Sequence, residues 1–383
     1  MSNCDEMNAR ERFHATMHYL PRDRCPIMDF GFWEETLIEW RRQGMPEESH
    51  PDDFFGMDPQ WIEAPIRVGM WPVFDTLVLE DLGETRIVRD CDGVTKLEDK
   101  RNLSIPKYLD HTLKDRQSWE REFRWRLNGQ DPTRYSAEWP EFLRRALDPA
   151  RDYPIGVPAG SLYGWLRDWM GVEAISYLVH EDRTLFEEMV ATVTQCIMDA
   201  ITPALESGVH CEYASMWEDM CYRAGPLISP KVFAEVLVPQ YQRITSLLRR
   251  YGVDVVVLDC DGDISLLAPL WLQAGVNTMF PIEVGVWGLD PVALRRQYGR
   301  EMLLIGGVSK LILASDEDAI RREVERLAPL VEEGGYIPTP DHRVPPDVPL
   351  ENYVFYIEEA KRVWGKSLPN LRPTGRPAPV RTS

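Results

Sequence analysis

The sequence predicts an α/β barrel, because short apolar strands alternate with helices from residue 150 onward in a chain of 383 residues. Alternation with short connections is typical of a parallel sheet with helices outside it. Several of these strands end in acidic residues, and α/β barrels carry their chemistry at the carboxyl ends of the strands. The GxGxxG pattern of a dinucleotide-binding fold is absent from the sequence.

The first elements are predicted from apolar residues at helical spacing and from one apolar run. Helices are expected at 7–20 and 33–43, and Pro21 is expected to end the first of them. Between these helices, residues 25–30 predict the first strand of the barrel. Asp29 lies near the end of this strand, which makes it a candidate for the active site.

The region of about 50–150 predicts an irregular insertion, because its apolar residues follow no steady period. Within it, residues 85–97 predict a β-hairpin that turns at Cys91-Asp92-Gly93. We expect one barrel domain over residues 1–367, with the insertion as an excursion from it. Residues 368–383 are rich in Pro and Arg and predict a disordered tail.

The regular part of the chain predicts six further strands and six helices, assigned from apolar runs and from helical periodicity. The predicted strands are 155–160, 211–218, 254–260, 278–283, 302–307 and 336–339, and the predicted helices are 182–206, 230–251, 263–274, 290–298, 316–332 and 350–365.

The composition narrows the classes of function. An apolar fraction of 44% and a charged fraction of 27% are typical of soluble globular proteins. A net charge of −19 argues against binding to nucleic acids or to anionic membranes. The seven cysteines have no regular spacing, which indicates reduced thiols rather than a disulfide framework. With no signal segment and no long apolar run, we expect a cytoplasmic protein that acts on a small molecule.

Acidic residues gather at the predicted strand ends, and His342 is the only histidine among them. Such a cluster repels itself unless some members are protonated or a cation lies among them. Helix capping is the alternative role for each acid, because a capping carboxylate accepts backbone N–H bonds. We expect the cluster to meet His342 in one pocket. The acids are Asp29, Glu218, Asp219, Asp259, Asp261, Glu283 and Asp341.

Three other features have both a functional and a structural interpretation. Cys260 is either a metal ligand or a buried core residue, because it alternates with Asp259 and Asp261. The pair Gly306-Gly307 either lets the backbone approach a ligand or allows tight packing. Trp165 and Trp217 either line a substrate pocket or belong to the core.

The chain resembles the uroporphyrinogen decarboxylase superfamily, which contains haem-pathway decarboxylases and corrinoid-linked methyltransferases. The resemblance covers most of the chain and is clearest in RERFHATMHYLPRDRCPI, GSLYGWLRDWMG, WEDMCYRAGPLISPKVF, DCDGD, LIGGVSK and GGYIPTPDHRVPPDVPLENY. It implies a TIM (β/α)8 barrel with its pocket at the C-terminal mouth. The reaction is not specified by these segments.

Two positions depart from the patterns of the superfamily. The decarboxylases carry an arginine-bearing segment after their first strand, where this chain has Met28-Asp29-Phe30-Gly31-Phe32-Trp33. A porphyrinogen would therefore be poorly held. The methyltransferases bind zinc through His-x-Cys and a later Cys. The first pair aligns with Asp259 and Asp261, with Cys260 between them, and the later Cys aligns with His342.

The first predicted function is therefore methyl transfer between a small methylated compound and a corrinoid (cobalamin) carried by a partner protein. The resemblance implies a Zn²⁺ site formed by Asp259, Cys260 and His342, where the metal would act as a Lewis acid. Without metal, a carboxylate with a raised pKa would protonate the leaving atom. The predicted catalytic residues are Asp29, Glu218, Asp259 and His342, and the predicted substrate-binding residues are Trp165, Trp217, Asp261, Glu283, Gly306 and Gly307.

Two alternatives stay open. One is a decarboxylase acting on a porphyrinogen or a smaller carboxylic acid, in which Asp29 would hold pyrrole-like N–H groups. The other is a non-catalytic protein that presents the mouth of the barrel to a cobalamin-binding partner.

Overall fold

The computed structural model describes residues 6–59, 61–101, 106–285 and 287–365, and it contains two compact units. The first unit comprises Met1–Trp61, Asp152–Pro154 and Pro281–Ser383, and the second comprises Ile62–Arg151 and Ile155–Phe280. The tail predicted at 368–383 lies outside the described residues. A single domain over residues 1–367 stays a prediction.

The strands and helices are numbered in chain order. The strands are β1 (Ile62–Glu63), β2 (Leu77–Asp81), β3 (Thr85–Arg89), β4 (Val94–Asp99), β5 (Lys107–His111), β6 (Ile155–Pro158), β7 (Tyr213–Trp217), β8 (Cys221–Tyr222), β9 (Gly225–Pro226), β10 (Val256–Asp259), β11 (Thr278–Ile282), β12 (Leu303–Gly306) and β13 (Tyr336–Ile337). The α-helices are α1 (Ala9–Met17), α2 (Glu34–Arg42), α3 (Pro51–Phe55), α4 (Arg116–Ser118), α5 (Trp139–Ala146), α6 (Gly164–Met170), α7 (Val172–Glu181), α8 (Arg183–Glu206), α9 (Pro230–Val232), α10 (Val238–Arg250), α11 (Ala268–Ala274), α12 (Pro291–Tyr298), α13 (Lys310–Leu313), α14 (Glu317–Glu333) and α15 (Leu350–Trp364).

The second unit is built on a parallel sheet in the order β1-β6-β7-β10-β11. The inner strands are apolar, and the side chains of Ile155 and Val157 are fully buried, as expected for a parallel sheet covered by helices. The helix α8 packs against α10, and Asp182 caps α8 by accepting the N–H of Leu185 at 3.0 Å. The predicted α/β arrangement with a parallel sheet is confirmed.

The register of this sheet brings two polar strand ends to one edge. Trp217, the last residue of β7, pairs with Asp259, the last residue of β10. The next N–H, that of Glu218, donates to the carbonyl of Asp259 at 2.9 Å. The side chains that follow β7 and β10 therefore emerge beside each other at the carboxyl edge of the sheet.

The insertion is more regular than predicted. The hairpin predicted at 85–97 is confirmed as β3 and β4, and it belongs to a four-stranded antiparallel sheet in the order β2-β3-β4-β5. All residues of β2 are exposed, and the register shifts in β2–β3 and β4–β5 pairing. Because β2 is exposed and the pairing register shifts, apolar and polar residues do not alternate regularly along these strands. The sequence therefore predicted an irregular segment.

The first unit contains the parallel pair β12–β13 and the parallel bridges Val308↔Pro340 and Phe32↔Val344. The long helices α14 and α15 pack on each other. The N-cap of α14 is Asp316, which accepts the N–H of Ala319 at 2.8 Å. The bridge at Phe32 holds the segment after Asp29 beside the segment after His342.

The strand predicted at 25–30 was wrong, because this described segment forms no ladder. Pro26 has no N–H to donate. The N–H of Ile27 donates to the Asp58 carboxylate at 2.8 Å, and the N–H of Cys25 donates to the carbonyl of Trp364 at 3.2 Å. The apolar residues alone predicted a strand. In the structure, however, the N–H groups of Cys25 and Ile27 donate to the carbonyl of Trp364 and the carboxylate of Asp58 instead of to a neighbouring strand.

Among the described helices, none has the length and the apolar character needed to cross a lipid bilayer.

Candidate active site

Three carboxylates lie together at the carboxyl edge of the sheet in the second unit. Asp219 follows β7, Asp259 ends β10 and Asp261 lies two residues further on. One oxygen from each carboxylate lies within 4.8 Å of the other two. The two strand ends that the sequence singled out in this unit are thus brought together.

Asp219 is positioned by its own backbone. It has a φ of +38°, in the left-handed region that Asp tolerates better than most residues. Its carboxylate accepts the N–H of Asp261 at 3.2 Å. Burial raises the pKa of Asp219, and the negative charge of Asp261 raises it further. A proton or a cation is therefore favoured in this cluster.

Glu218 has a different environment from its neighbour Asp219. It is fully buried, and its carboxylate accepts the N–H groups of Leu162, Tyr163 and Gly164 at 2.7–2.9 Å. Two hydroxyls also donate to it, those of Ser161 at 3.1 Å and Tyr241 at 2.5 Å. With five donors from the chain itself, Glu218 anchors the N-terminus of α6, and its predicted catalytic role stays a prediction.

The thiol of Cys260 lies in the interior. It donates to the carbonyl of Asp261 at 3.6 Å, and the side chain of Cys221 lies near it. Burial is the largest influence that raises the pKa of Cys260 well above its ordinary value, and the neighbouring Cys221 raises it further. Zinc binds the thiolate form of cysteine, which this environment disfavours.

The zinc site that the resemblance implies stays a prediction, although some acidic side chains at the carboxyl edge of the sheet form a group that could hold a metal ion. Asp259 groups with Asp219 and Asp261, and within the described ranges Cys260 joins no group of three metal-binding side chains. A set of carboxylate oxygens suits hard cations rather than zinc held by a thiolate.

The two candidate tryptophans occupy partly buried positions. Trp165 stacks on Trp169, with ring centroids 6.1 Å apart, and it packs against Gly69 and Gly160. The guanidinium of Arg167 lies over the ring of Trp217 at 5.3 Å and donates to the backbone carbonyl of Asp219. Arg167 thereby links α6 to the acidic cluster, a contact that the sequence did not reveal.

In the first unit, Asp29 is a partly buried acid with two fixed donors. The N–H of Gly31 donates to one carboxyl oxygen at 2.7 Å, and the hydroxyl of Tyr353 donates to the other. Burial is the largest influence on Asp29 and raises its pKa from 3.8 to about 7, although both donors lower it. Burial therefore favours the protonated form of Asp29 more than it is favoured in an exposed aspartate.

Asp29 lines a cavity of about 450 Å³ within the first unit. Arg41, from the last turn of α2, and Arg343, directly after His342, line the same cavity. The sequence segment after Asp29 has no arginine, so both cations were missed. The bridge Phe32↔Val344 accounts for Arg343, and a strand pairing of this kind leaves no local sequence signal.

Asp341 and Glu283 are tied to nearby groups of the first unit. Asp341 is fully buried and accepts the N–H groups of Val284, Gly285 and Lys310 at 2.8–3.1 Å. Glu283 lies 3.8 Å from the ammonium of Lys310. For Asp341, the capping interpretation is the one that this geometry favours.

His342 lies among aromatic rings. Its imidazole meets the ring of Phe30 edge to face, with centroids 5.4 Å apart, and stacks over Trp33 at 6.0 Å. Its predicted role in catalysis or metal binding, and the predicted pocket that it shares with Asp259, stay predictions. Asp259 belongs to the second unit and His342 to the first.

Gly306 and Gly307 are required by close packing. Both have positive φ angles, +111° and +85°. A Cβ at Gly306 would lie 2.5 Å from the nitrogen of Ile282, and one at Gly307 would lie 2.7 Å from the side chain of Pro291. The tight-packing interpretation accounts for this pair, and a contact with substrate stays a prediction.

The sequence of this chain is similar to those of known proteins. Residues 131–363 match the uroporphyrinogen decarboxylase (URO-D) family. A uroporphyrinogen decarboxylase of Nostoc sp. is 23% identical over 190 residues, which are 49% of this chain and 51% of that protein. The chain thus spans about half the length of the curated relative that it matches.

A solved structure, a methyltransferase from Methanosarcina mazei, is 15% identical and has a TM-score of 0.58. The similarity covers 93% of this chain and 99% of that one, and at this identity it shows a shared fold. The match to the family model extends over more than half of the chain. The chain belongs to the uroporphyrinogen decarboxylase family.

Proposed function

We propose that this chain is an enzyme that removes a methyl group from a small methylated compound, with Asp29 as the general acid. The acceptor in this proposal is a corrinoid on a partner protein, and the scaffold is a closed TIM barrel, as in the family. The observation that carries the proposal is the position of Asp29 on the wall of a cavity, with the Gly31 N–H and the Tyr353 hydroxyl as its donors, where burial raises its pKa to about 7. A general acid is most effective when its pKa is near the working pH.

The proton of Asp29 serves the leaving atom. When the bond between the methyl carbon and oxygen breaks, its electron pair stays on the oxygen, and that oxygen takes the proton from Asp29. The Gly31 N–H and the Tyr353 hydroxyl then stabilise the carboxylate that Asp29 becomes. A reduced corrinoid, when bound, supplies the nucleophile that accepts the methyl group. A proton from water restores the acid.

The cavity favours a small substrate. Its volume of about 450 Å³ lies toward the low end of the roughly 300–1,000 Å³ that ligand pockets occupy. Arg343 lines it together with Asp29, so a substrate with an anionic group near its methylated atom is matched by this cation, whereas Arg41 already lies 3.6 Å from Glu47 of the same cavity. The aromatic rings of Phe30 and Phe32 supply apolar walls.

Decarboxylation is the second candidate, and Arg343 in the cavity favours it. A carboxylate held by Arg343 would leave as carbon dioxide, and Asp29 would protonate the carbon that loses it. The Nostoc relative, named as a uroporphyrinogen decarboxylase, also supports this candidate. In both reactions Asp29 supplies one proton, so the acceptor of that proton distinguishes them.

Product analysis tests the proposal. Purified protein is incubated with free cob(I)alamin, kept reduced by titanium(III) citrate, and with a panel of methoxylated acids and methylamines. We expect methylcobalamin and one demethylated product for at least one compound. In a parallel reaction, uroporphyrinogen III labelled in its carboxyl groups should release no labelled carbon dioxide. Release of carbon dioxide without methylcobalamin would select the decarboxylase. No turnover, combined with tight binding to a cobalamin-binding protein, would select the non-catalytic alternative.

A further inference from the structure

A second cavity, separate from the residues assigned above to catalysis, lies within the second unit. It has a volume of about 540 Å³ and is formed by the antiparallel sheet of the insertion and by the segment that joins α6 to α7. Asp90, Asp92 and Asp168 line it, together with Lys96 and Arg167. A cavity of this size accommodates a small organic molecule.

Both cations of this cavity are already paired. Lys96 lies 3.2 Å from Asp90 and 3.8 Å from Glu98. Arg167 lies 2.9 Å from Asp168 and donates a further hydrogen bond to the carbonyl of Asp219. The cations therefore satisfy Asp90 and part of Asp168, and they are not free to receive an anionic ligand.

Asp92 is the acidic residue of this cavity that forms no ion pair with these two cations. It accepts one hydrogen bond, from the indole N–H of Trp169 at 3.4 Å, and the described basic side chains make no ion pair with it. Burial is the largest influence on Asp92 and raises its pKa, as does the charge of Asp90. The Trp169 hydrogen bond and the charge of Lys96 lower it, so the negative charge of Asp92 is only partly compensated. A cationic group in the cavity would supply that compensation.

The walls indicate the kind of cation. Tyr108 is exposed, and its ring stacks on that of His111, with centroids 6.3 Å apart. Val94 and Val172 provide apolar surface. Aromatic faces and carboxylates together are the surroundings that bind organic ammonium ions. The described acids and His111 of this cavity belong to no group of three ligand atoms within 4.8 Å, so a metal ion would find no coordination shell.

We propose that this cavity binds a small organic ammonium ion, with Asp92 as its counter-ion and Tyr108 beside its alkyl groups. The site is independent of the proposed methyl transfer, because none of the cavity's residues is assigned a step in it. Arg167 connects the two regions of the second unit, because it contacts both Asp168 of the cavity and the backbone of Asp219.

Calorimetric titration with choline tests the proposal, because choline has a neutral analogue of the same shape, 3,3-dimethylbutan-1-ol. We expect saturable binding of choline at one site and binding of the neutral analogue that is weaker by about tenfold or more. The variant Asp92→Asn should weaken choline binding by about tenfold or more as well. Mg²⁺ should not compete.

The control variant is Asp318→Asn, which removes one negative charge from the exposed surface of α14, where Asp318 pairs with Arg321. It should bind choline like the unmodified protein, and circular dichroism should show that both variants are folded. Equal binding of choline and its neutral analogue, equal losses in the two variants, competition by Mg²⁺ or no saturable binding would each overturn the proposal. Loss of folding in Asp92→Asn would move the test to Tyr108→Ala, which should also weaken binding.

Discussion

Asp29 and Glu218 show how the surroundings of an acid determine its chemistry. Both pKa values are raised by burial. Glu218 has five hydrogen-bond donors and no exposure, so its carboxylate is committed to the chain. Asp29 has two donors and lines a cavity, so one side of its carboxyl group can meet a substrate. Geometry therefore favours Asp29 as the acid that acts in catalysis.

Replacing Asp29 by Asn should lower kcat by about 100-fold or more, because an amide cannot donate the proton of a carboxylic acid. In the unmodified enzyme, activity should fall as the pH rises through about 7, where Asp29 loses its proton. The pH profile of kcat, measured with any substrate found in the panel, checks this. A profile that is flat through neutral pH would contradict the role of Asp29.

Asp52 offers a matched control. It lines the same cavity, and its negative charge contributes to the raised pKa of Asp29. Asp52→Asn should therefore move the fall in activity to lower pH while keeping the acid in place.

Thermal stability gives a second readout of Asp29. Because its folded-state pKa exceeds its ordinary value of 3.8, its proton stabilises the fold at low pH. This stabilisation is lost as the pH rises toward about 7. The Tm of Asp29→Asn relative to the unmodified protein should thus increase between about pH 5 and about pH 8.

Replacing Glu218 by Gln should lower the free energy of unfolding by about 3 kcal/mol. One carboxylate oxygen becomes an NH₂ group, which cannot accept the hydrogen bonds that the neighbouring buried N–H and O–H groups donate. Tyr241→Phe, which removes one of the five donors, should cost about 1 kcal/mol. Denaturant unfolding measures both values. If Glu218→Gln kept full stability and lost activity, a catalytic role for Glu218 would replace the structural one.

At the scale of elements, the turns that follow the strands need glycine at some positions, because a side chain there would strain the backbone or clash with a neighbour. Gly306→Ala should destabilise the protein by about 2–4 kcal/mol, because a positive φ and a clash with the backbone of Ile282 act together. Gly288→Ala is the matched control. Its φ is also positive, +74°, but nothing lies within 4 Å of a Cβ built there. Its cost should be about 1 kcal/mol, from backbone strain alone. Equal costs in chemical unfolding would show that the contact with Ile282 is soft.

Elements with strong local patterns were predictable from the sequence. The helix α8 and the hairpin β3–β4 lie close to their predicted bounds, because caps, turns and apolar periodicity are local signals. The strand predicted at 25–30 failed because Asp58, distant in sequence, takes the N–H of Ile27. Strand ends were predictable for the same local reason, and three of the seven acids expected to gather there, Asp219, Asp259 and Asp261, lie together.

At the scale of the whole molecule, the acidic residues of the candidate site could be predicted from the sequence, but the basic residues that line the same cavity could not. Asp29 was visible beside an apolar run, whereas Arg41 and Arg343 reach its cavity through helix and strand contacts. Such contacts depend on tertiary structure, which has no short-range signature. The proximity of Cys260 to Cys221 could not be predicted for the same reason.

The central claim is that Asp29 delivers a proton to the atom that loses a methyl group. The measurement that tests it most directly is the formation of methylcobalamin in a single turnover with free cob(I)alamin, followed as a function of pH for the unmodified protein and for Asp29→Asn. The predicted result is methylcobalamin formation whose rate falls above about pH 7 and which Asp29→Asn reduces by about 100-fold or more. Formation of methylcobalamin that is independent of pH and unaffected by Asp29→Asn would contradict the claim, as would carbon dioxide as the only product.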